Sequence, residues 1–410
     1  MKVSTPLCLL AALSITFFST HVLAQEVITG WVTNASTGEP IGFASILHKG
    51  SNRGAISDDE GFFQISALPE LDSLTFSALG FKSLTLPVEA LAVPTKVSLQ
   101  AHAFLLSEVV VRPLTPEEQL RKCIRRMDQN YASEAFTGDS YYRESMKENG
   151  NWLRHEEGGF RSWISPETTR RDHQLFLYRS ADTQELQFMR QRAEKQKKKY
   201  LKKHPEVADS FEEGEVLLVD FGGPDEILDI DVRDGDMTIL DSSRHRGYRF
   251  SYGPESAYMG RELISIDYES RGKEDHKRVA GTIFIDKASE AIVSINERGK
   301  IVIPAAIKPI LLMLGLGIKN PTYSLDITYR TIDDVWYPEK VRWDLDLHMT
   351  EHRLFRENRT ARFEIGQIIA FRSYETVSPE PIPVQRRFDP DKKMEEQLHP
   401  IEGLSWKDIQ

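Results

Sequence analysis

The chain has 410 residues, 62 acidic against 52 basic, a formal net charge of −10, and a hydrophobic share of 40%. That length suits two or three domains, and the apolar share is ample for packed cores, which excludes wholesale disorder. The acidic balance argues against a dedicated nucleic-acid binder, because displacing counterions from phosphates takes a surplus of Lys and Arg.

At the N-terminus Lys2 supplies a positive region, Leu7 to Phe18 an apolar run, and Val22-Leu23-Ala24 the small residues that a signal peptidase reads. The pattern predicts a signal peptide over 1–24, cleavage before Gln25, and export to the periplasm or outer membrane. The apolar run is too short to span a bilayer, so no transmembrane helix is expected after cleavage. A lipoprotein signal needs a Cys directly after the small residues, and Cys8 lies inside the apolar run instead, so no acyl anchor is expected. Losing Cys8 leaves Cys123 without a disulfide partner.

From Ile28 to about Leu99, short β-type runs alternate with turn residues: Ile28 to Val32, Ala44 to His48, Phe62 to Ile65, Ser73 to Ser77 and Leu84 to Val88. Strands at this spacing predict a β-sandwich, which we bound at 25–112. Ser57-Asp58-Asp59-Glu60-Gly61 is a polar turn closing onto Phe62-Phe63. A hard cation also wants several carboxylates, but the alternating ligand spacing of a calcium loop is missing here.

Gly30-Trp31-Val32, Thr37-Gly38-Glu39-Pro40-Ile41, Ala44-Ser45-Ile46, Ala55 to Phe63 and Leu74 to Phe81 together resemble, in order and spacing, the carboxypeptidase regulatory-like domain of Bacteroidota-type envelope proteins. The resemblance implies a transthyretin-like sandwich that accompanies peptidases and TonB-dependent receptors and carries no catalytic residues. The run Glu108-Val109-Val110-Val111 resembles the exit from this sandwich in TonB-linked receptors, although no receptor barrel is expected after it.

Pro113 and Pro116 lead into a helical connector over 113–135, with an amphipathic helix reaching about Tyr131. Leu120, Cys123, Ile124 and Met127 recur at helical spacing, so Cys123 reads as a small buried residue; a nucleophilic thiol would want a nearby His.

From 136 to 378 the pattern is mostly period two. Ile227 to Val232, Met237 to Leu240, Tyr248 to Tyr252, Glu262 to Tyr268, Val279 to Ile285, Ala291 to Ile295, Tyr323 to Tyr329, Lys340 to Leu347 and Arg362 to Ile368 read as strands of one large, curved antiparallel sheet. Gly281 to Val293 and Trp336 to Val341 resemble the strand-turn-strand phrasing of LolA-like lipoprotein carriers, which implies an open half-barrel able to hold acyl chains.

Ile301 to Ile318 is almost wholly apolar but broken by Pro304, Lys308 and Pro309, which argues against a spanning helix. It reads either as a buried helix in the concave face of the sheet or as an apolar lid or membrane-touching loop, and Ile310, Leu311, Leu314 and Leu316 are its candidates for contact with an apolar ligand. The basic run Arg190 to Lys203 could meet anionic headgroups or pair with its acidic neighbour, Glu206 to Glu215.

His348-Met349-Thr350-Glu351-His352 matches the H-x-x-E-H pattern of inverted zinc peptidases. Trp343, Leu345, Leu347 and Met349 alternate with polar residues, however, so the segment reads as a strand with His348 facing solvent, and on a strand the two His are too far apart to share an ion. No phosphate loop, dinucleotide fingerprint or nucleophile elbow occurs. Residues 379–410 are rich in Pro and charge and read as a tail or strap.

The expectation is a mainly β protein, a sandwich followed by a curved antiparallel sheet with a few helices. It is expected to act as an exported, non-catalytic binding or scaffold module without cofactor or metal. Its partner would be an envelope protein, a lipid or another apolar ligand, with peripheral membrane contact as a further option. Its alternatives are a LolA-like carrier and, remotely, a zinc peptidase through His348 and His352.

Overall fold

The computed structural model describes residues 27–68, 73–102, 113–184, 187–188, 221–233, 237–272, 277–303, 315–353 and 357–409. The N-terminal strands are β1 (Val27–Asn34), β2 (Ser45–His48), β3 (Gly54–Ile56), β4 (Phe62–Ser66), β5 (Ser73–Ser77), β6 (Leu84–Pro87) and β7 (Thr95–Leu99). They form two facing sheets, ordered β4-β1-β7 and β3-β2-β5-β6. Between the sheets lie Ile28, Val32, Ile46, Phe63, Leu74 and Phe76, all at most 1% exposed, which makes the sandwich core. β1 and β7 run parallel and approach closely at Gly30, where a Cβ would stand 2.2 Å from the Thr95 carbonyl oxygen. The polar turn before β4 is closed by Asp58, whose Oδ1 accepts from the amides of Glu60 and Phe62, with Gly61 at φ 76°.

Helix α1 (Pro116–Ile124) opens on a full capping box, Thr115 with Glu118, and has Pro116 in its first turn. The single helix expected up to Tyr131 is interrupted at Arg125 and Arg126, and a one-turn α2 (Met127–Asn130) follows.

The remaining strands are β8 (Phe136–Glu148), β9 (Asn151–Ser165), β10 (Arg170–Ser180), β11 (Tyr248–Tyr252), β12 (Ser256–Tyr258), β13 (Arg261–Ser270), β14 (Lys277–Asp286), β15 (Ile292–Ile301), β16 (Leu316–Ile332), β17 (Val335–Glu351) and β18 (Arg359–Glu375). They build one antiparallel sheet of 11 strands in the order β10-β9-β8-β18-β17-β16-β15-β14-β13-β11, with β12 also on β13, as the period-two pattern predicted. Asn149-Gly150 and Asp333-Asp334 supply paired positive φ angles at the β8–β9 and β16–β17 hairpins, matching the right-handed twist of the flanking strands.

Two expected strands are helical instead. Ile227 to Val232 contributes to helix α3 (Gly223–Leu228), started by Gly222 and Gly223 in the left-handed region and by Pro224 in the first turn. Met237 to Leu240 forms a 3-10 turn. Their apolar residues Ile227, Leu228, Ile239 and Leu240 are pressed onto the face of the sheet and join its core. An apolar face needs a cover as well as neighbours, and short segments of either pattern can supply it.

Alternation sorts the large sheet onto two faces. On one, Tyr142, Glu144 and Met146 of β8 stand beside Ile369, Gln367 and Ile365 of β18, which stand beside Val341, Trp343 and Leu345 of β17. Leu120 and Cys123 of α1, Tyr131 after α2, and α3 pack into the core on this side. The opposite parity, including Tyr141, Arg143, Arg342 and Ile368, faces the sandwich. The C-terminal residues cover the edge strand β10: the Phe388 and His399 amides donate to the His173 and Leu175 carbonyls, and the Phe388 ring meets Phe160 edge-on at 5.1 Å. An exposed edge would offer those unpaired groups to other chains. The chain then reaches the sandwich side, where helix α4 (Trp406–Ile409) places Trp406 under the Arg179 guanidinium at 4.3 Å and Asp408 within 3.3 Å of Ser66.

Candidate functional site

The sandwich meets the sheet through a buried polar seam. The pairing of β16 with β17 shifts register at Thr328 and Tyr329, so that Lys340 faces Thr328, Pro338 faces Tyr329, and Glu339 is the extra residue. Such a bulge re-aims a side chain, and Glu339, 2% exposed, accepts from Ser45 Oγ of the sandwich at 2.9 Å and from the Tyr258 hydroxyl. Arg330 donates to the carbonyl of Asn52. Asp59 lies between Arg143, at 3.0 Å, and Arg342, at 2.6 Å. Burial alone would raise the Asp59 carboxyl, but the two guanidiniums outweigh it and hold the group below the usual range. Phe43 sits under Lys340 and Arg342, with cation-to-ring distances of 4.9 and 4.7 Å.

The opposite face of the sheet is apolar with charged groups set into it. Glu144, 1% exposed, pairs with Arg154 and accepts from the Tyr142 hydroxyl at 2.6 Å, while Glu156 accepts from Tyr178 and Arg154. Farther along, Glu297 accepts from the hydroxyls of Tyr268 and Tyr323 at 2.7 and 2.6 Å. Burial pushes the Glu144 carboxyl up to about 7, against the opposing pull of Arg154 and Tyr142. Its folded value therefore lies above the ordinary 4.5, the folded state holds the extra proton between these two values, and this group's contribution to stability falls as pH rises through that window. Relative to wild type, Glu144→Gln should gain stability as pH rises from 5 to 8 in denaturant titrations; a difference independent of pH would refute the shifted carboxyl.

At one end of this face Tyr131, Phe136, Leu228, Tyr329 and Trp336 border a cleft of about 520 Å³, with Arg171, Asp231 and Arg233 at its polar side. Arg233 donates to the Ala132 carbonyl, and the Tyr329 hydroxyl donates to Asp231.

The residues singled out from sequence fall as follows. Ile310, Leu311 and Leu314, like the basic run Arg190 to Lys203, lie outside the described residues; Leu316 is half-buried at the start of β16, opposite Glu351. His348 is on β17 as expected, opposite Lys319 and Arg362, but it is half-buried rather than solvent-facing, and its Nδ1 is shielded without a hydrogen-bond partner. His352 follows the strand and is exposed, so a strand rise of ~3.3 Å per residue separates the two rings far beyond zinc distances. Among the described residues no three His, Cys, Asp or Glu side chains converge on a common ion position, nor is any helix long and apolar enough to cross a membrane. In the Asp58-Asp59-Glu60 cluster, Asp58 closes the turn and Asp59 docks the sandwich on the sheet.

Cys123 is 1% exposed on the buried face of α1, and burial pushes its thiol up to about 11. It should stay unmodified by iodoacetamide at pH 8 in the native protein and react after denaturation, which mass spectrometry reads directly; rapid native alkylation would contradict this placement.

Strands β8, β9 and β10, which carry half of the charged network, were not delimited from sequence, although Asn149-Gly150 is a strong hairpin signal. Glu339 was missed as well. Its signal is Pro338, a residue that interrupts a strand and is tolerated at a bulge.

Residues 28–111 match the family model of the CarboxypepD_reg-like domain. The chain is 35% identical over 95 residues to the TonB-dependent receptor SusC of Bacteroides thetaiotaomicron, an overlap of 23% of this chain and 9% of that receptor. Among solved structures, a DUF1329 family protein from Desulfovibrio piger overlaps 65% of this chain and 96% of its own at 10% identity and a TM-score of 0.24. Lipovitellin overlaps 61% of this chain and 26% of its own, at 5% identity and the same TM-score of 0.24. Two facing sheets, their order in the chain and the family match agree over one region: the chain carries an N-terminal CarboxypepD_reg-like domain over residues 28–111.

Proposed function

We propose that this protein is an exported, non-catalytic module of the bacterial envelope, in which the CarboxypepD_reg-like domain and the open sheet act as one rigid unit that binds an envelope component. The observation that carries the reading is the seam. Buried Glu339 joins Ser45 of the sandwich to Tyr258 of the sheet, and Asp59 of the sandwich bridges Arg143 and Arg342. The buried charge of Glu339 fixes relative orientation, because every alternative leaves it unpaired, and the more exposed Asp59 bridge adds a geometric constraint at the rim of the contact. The sandwich covers one face of the sheet, and the binding surface is the other. The signal-like segment 1–24 and the overlap with SusC support the envelope setting.

A second reading, a carrier of lipid or another apolar ligand, is favoured by Trp343, Leu345, Leu347 and Met349, which stay half-buried along β17 where a packed core would bury them fully. Fractionation of a Bacteroidota host should place the protein in the envelope, lacking residues 1–24. Recovery from the cytoplasm with its N-terminus intact would overturn the proposal. Native mass spectrometry of the same material then separates the readings: extra mass that is lost on unfolding and matches a lipid identifies a carrier, and the bare chain mass leaves a protein partner.

A further inference from the structure

Away from the seam, the far end of the large sheet carries cations that no carboxylate answers. Where β14 pairs with β15, Arg278 stands directly opposite Lys300, and Arg298 precedes Lys300 by two residues on the same face. Lys300 faces Thr322 of β16, which faces Asp346 of β17, and the next row is Lys319, His348 and Arg362. Residues paired in register share a face, so all of these lie on the side where Asp59 of the sandwich meets Arg342 farther along the strands. Arg278, Arg298, Lys300 and Lys319 are exposed.

The neighbouring acids are placed otherwise. Arg362 takes Asp346 and Glu364, Arg342 takes Asp344, Glu269 lies opposite Arg249, and Asp326 lies opposite Arg342. Among the described residues, Arg278, Arg298, Lys300 and Lys319 form neither an ion pair nor a side-chain hydrogen bond. Like charges directly opposite one another destabilise a sheet, yet the register sets Arg278 against Lys300 in a chain whose net charge is −10. At the same end of the sheet Ile301, Val302, Ile303, Leu316 and Ile318 are half-buried, at or beside the adjoining ends of β15 and β16. Cations beside partly open apolar side chains suit an interfacial contact, in which the apolar groups enter the acyl boundary and the cations stay among the headgroups.

We propose that this end of the sheet rests on an anionic lipid surface, with Arg278, Arg298, Lys300 and Lys319 among the headgroup phosphates. The apolar residues beside them single out a bilayer over a nucleic acid or a free anion, neither of which offers an apolar phase. Contact at the ends of the strands leaves the opposite face of the sheet clear, so its failure leaves the proposal for that face standing.

The test is co-sedimentation of the full chain, purified from its host, with vesicles of phosphatidylcholine alone or of phosphatidylcholine mixed with phosphatidylglycerol. The protein should prefer the mixed vesicles, and the preference should vanish as ionic strength rises from ~0.1 to ~1 M, where the screening length falls from ~10 to ~3 Å. Replacing two cations together, Arg278→Gln with Lys300→Gln, should weaken binding to the mixed vesicles roughly 25-fold, about fivefold for each cation at such a surface. Lys49→Gln with Lys96→Gln removes the same charge from exposed positions on the sandwich and should leave binding unchanged. Inorganic phosphate should release the protein no better than sodium chloride of equal ionic strength. The wild-type comparisons decide the matter should a variant fail to fold. The proposal is overturned if the two vesicles bind alike or not at all, if the preference survives high salt, or if the folded Arg278 and Lys300 variant binds as wild type does. It is overturned as well if the sandwich variant loses as much, or if phosphate releases the protein selectively, which would mark a site for the free anion.

Discussion

Replacing Glu339 by Gln should cost about 3–5 kcal/mol of stability, the price of removing one partner from a buried charged cluster. Glu339 is 2% exposed, and Lys340 and Arg372 both lie within its field. Gln keeps the size of the side chain but only one acceptor oxygen, so the loss combines the charge with one of the two hydrogen bonds that Ser45 and Tyr258 donate to separate carboxylate oxygens. Burial already lowers the Lys340 ammonium below its ordinary range, with Asp326 and Glu339 opposing that shift, and without Glu339 it should fall further. Guanidinium titration of the variant measures the loss. A change under about 0.5 kcal/mol, the range of ordinary surface substitutions, would show that the seam carboxylate does not neutralise these cations.

Trp336→Ala should be comparably severe, about 3–5 kcal/mol, because the largest side chain of the core would leave a cavity that its neighbours cannot close. Trp336 is 2% exposed, its Nε1 donates to Ser289 Oγ at 3.2 Å, and its carbonyl accepts from the Ala132 amide at 3.1 Å. It thereby ties the chain after α2 to β17. Trp336→Phe, which keeps most of the apolar volume, should lose about 1–2 kcal/mol, mainly the indole hydrogen bond and the residual space. Equal losses in the two variants would mean that volume is not what this position supplies.

Much of the fold was legible in the residues. Alternation in Glu262 to Tyr268 and in Lys340 to Leu347 predicted strands that the structure contains, and the Thr115 capping box with Pro116 marks the start of α1. The same rule misread Ile227 to Val232 and Met237 to Leu240, since short segments that alternate can lie over a sheet as well as within it. The candidate site was far less legible. Asp59 reads locally as part of a turn and Tyr141 as one residue of a strand; nothing near either announces Arg342 or Arg372.

By itself the sequence determined the mainly β class, the sandwich with its turns, and the burial of Cys123, since period, cap and turn residues act over a few positions along the chain. Only the tertiary structure decided which face of the sheet the sandwich covers, which carboxylates are buried, and which cations they answer. Ser45 and Glu339 are 294 residues apart, and Asp59 and Arg342 are 283 apart. Contacts at such separations depend on strand order, register and one bulge at Glu339, and a shift of one residue in any of them turns the side chain to the other face.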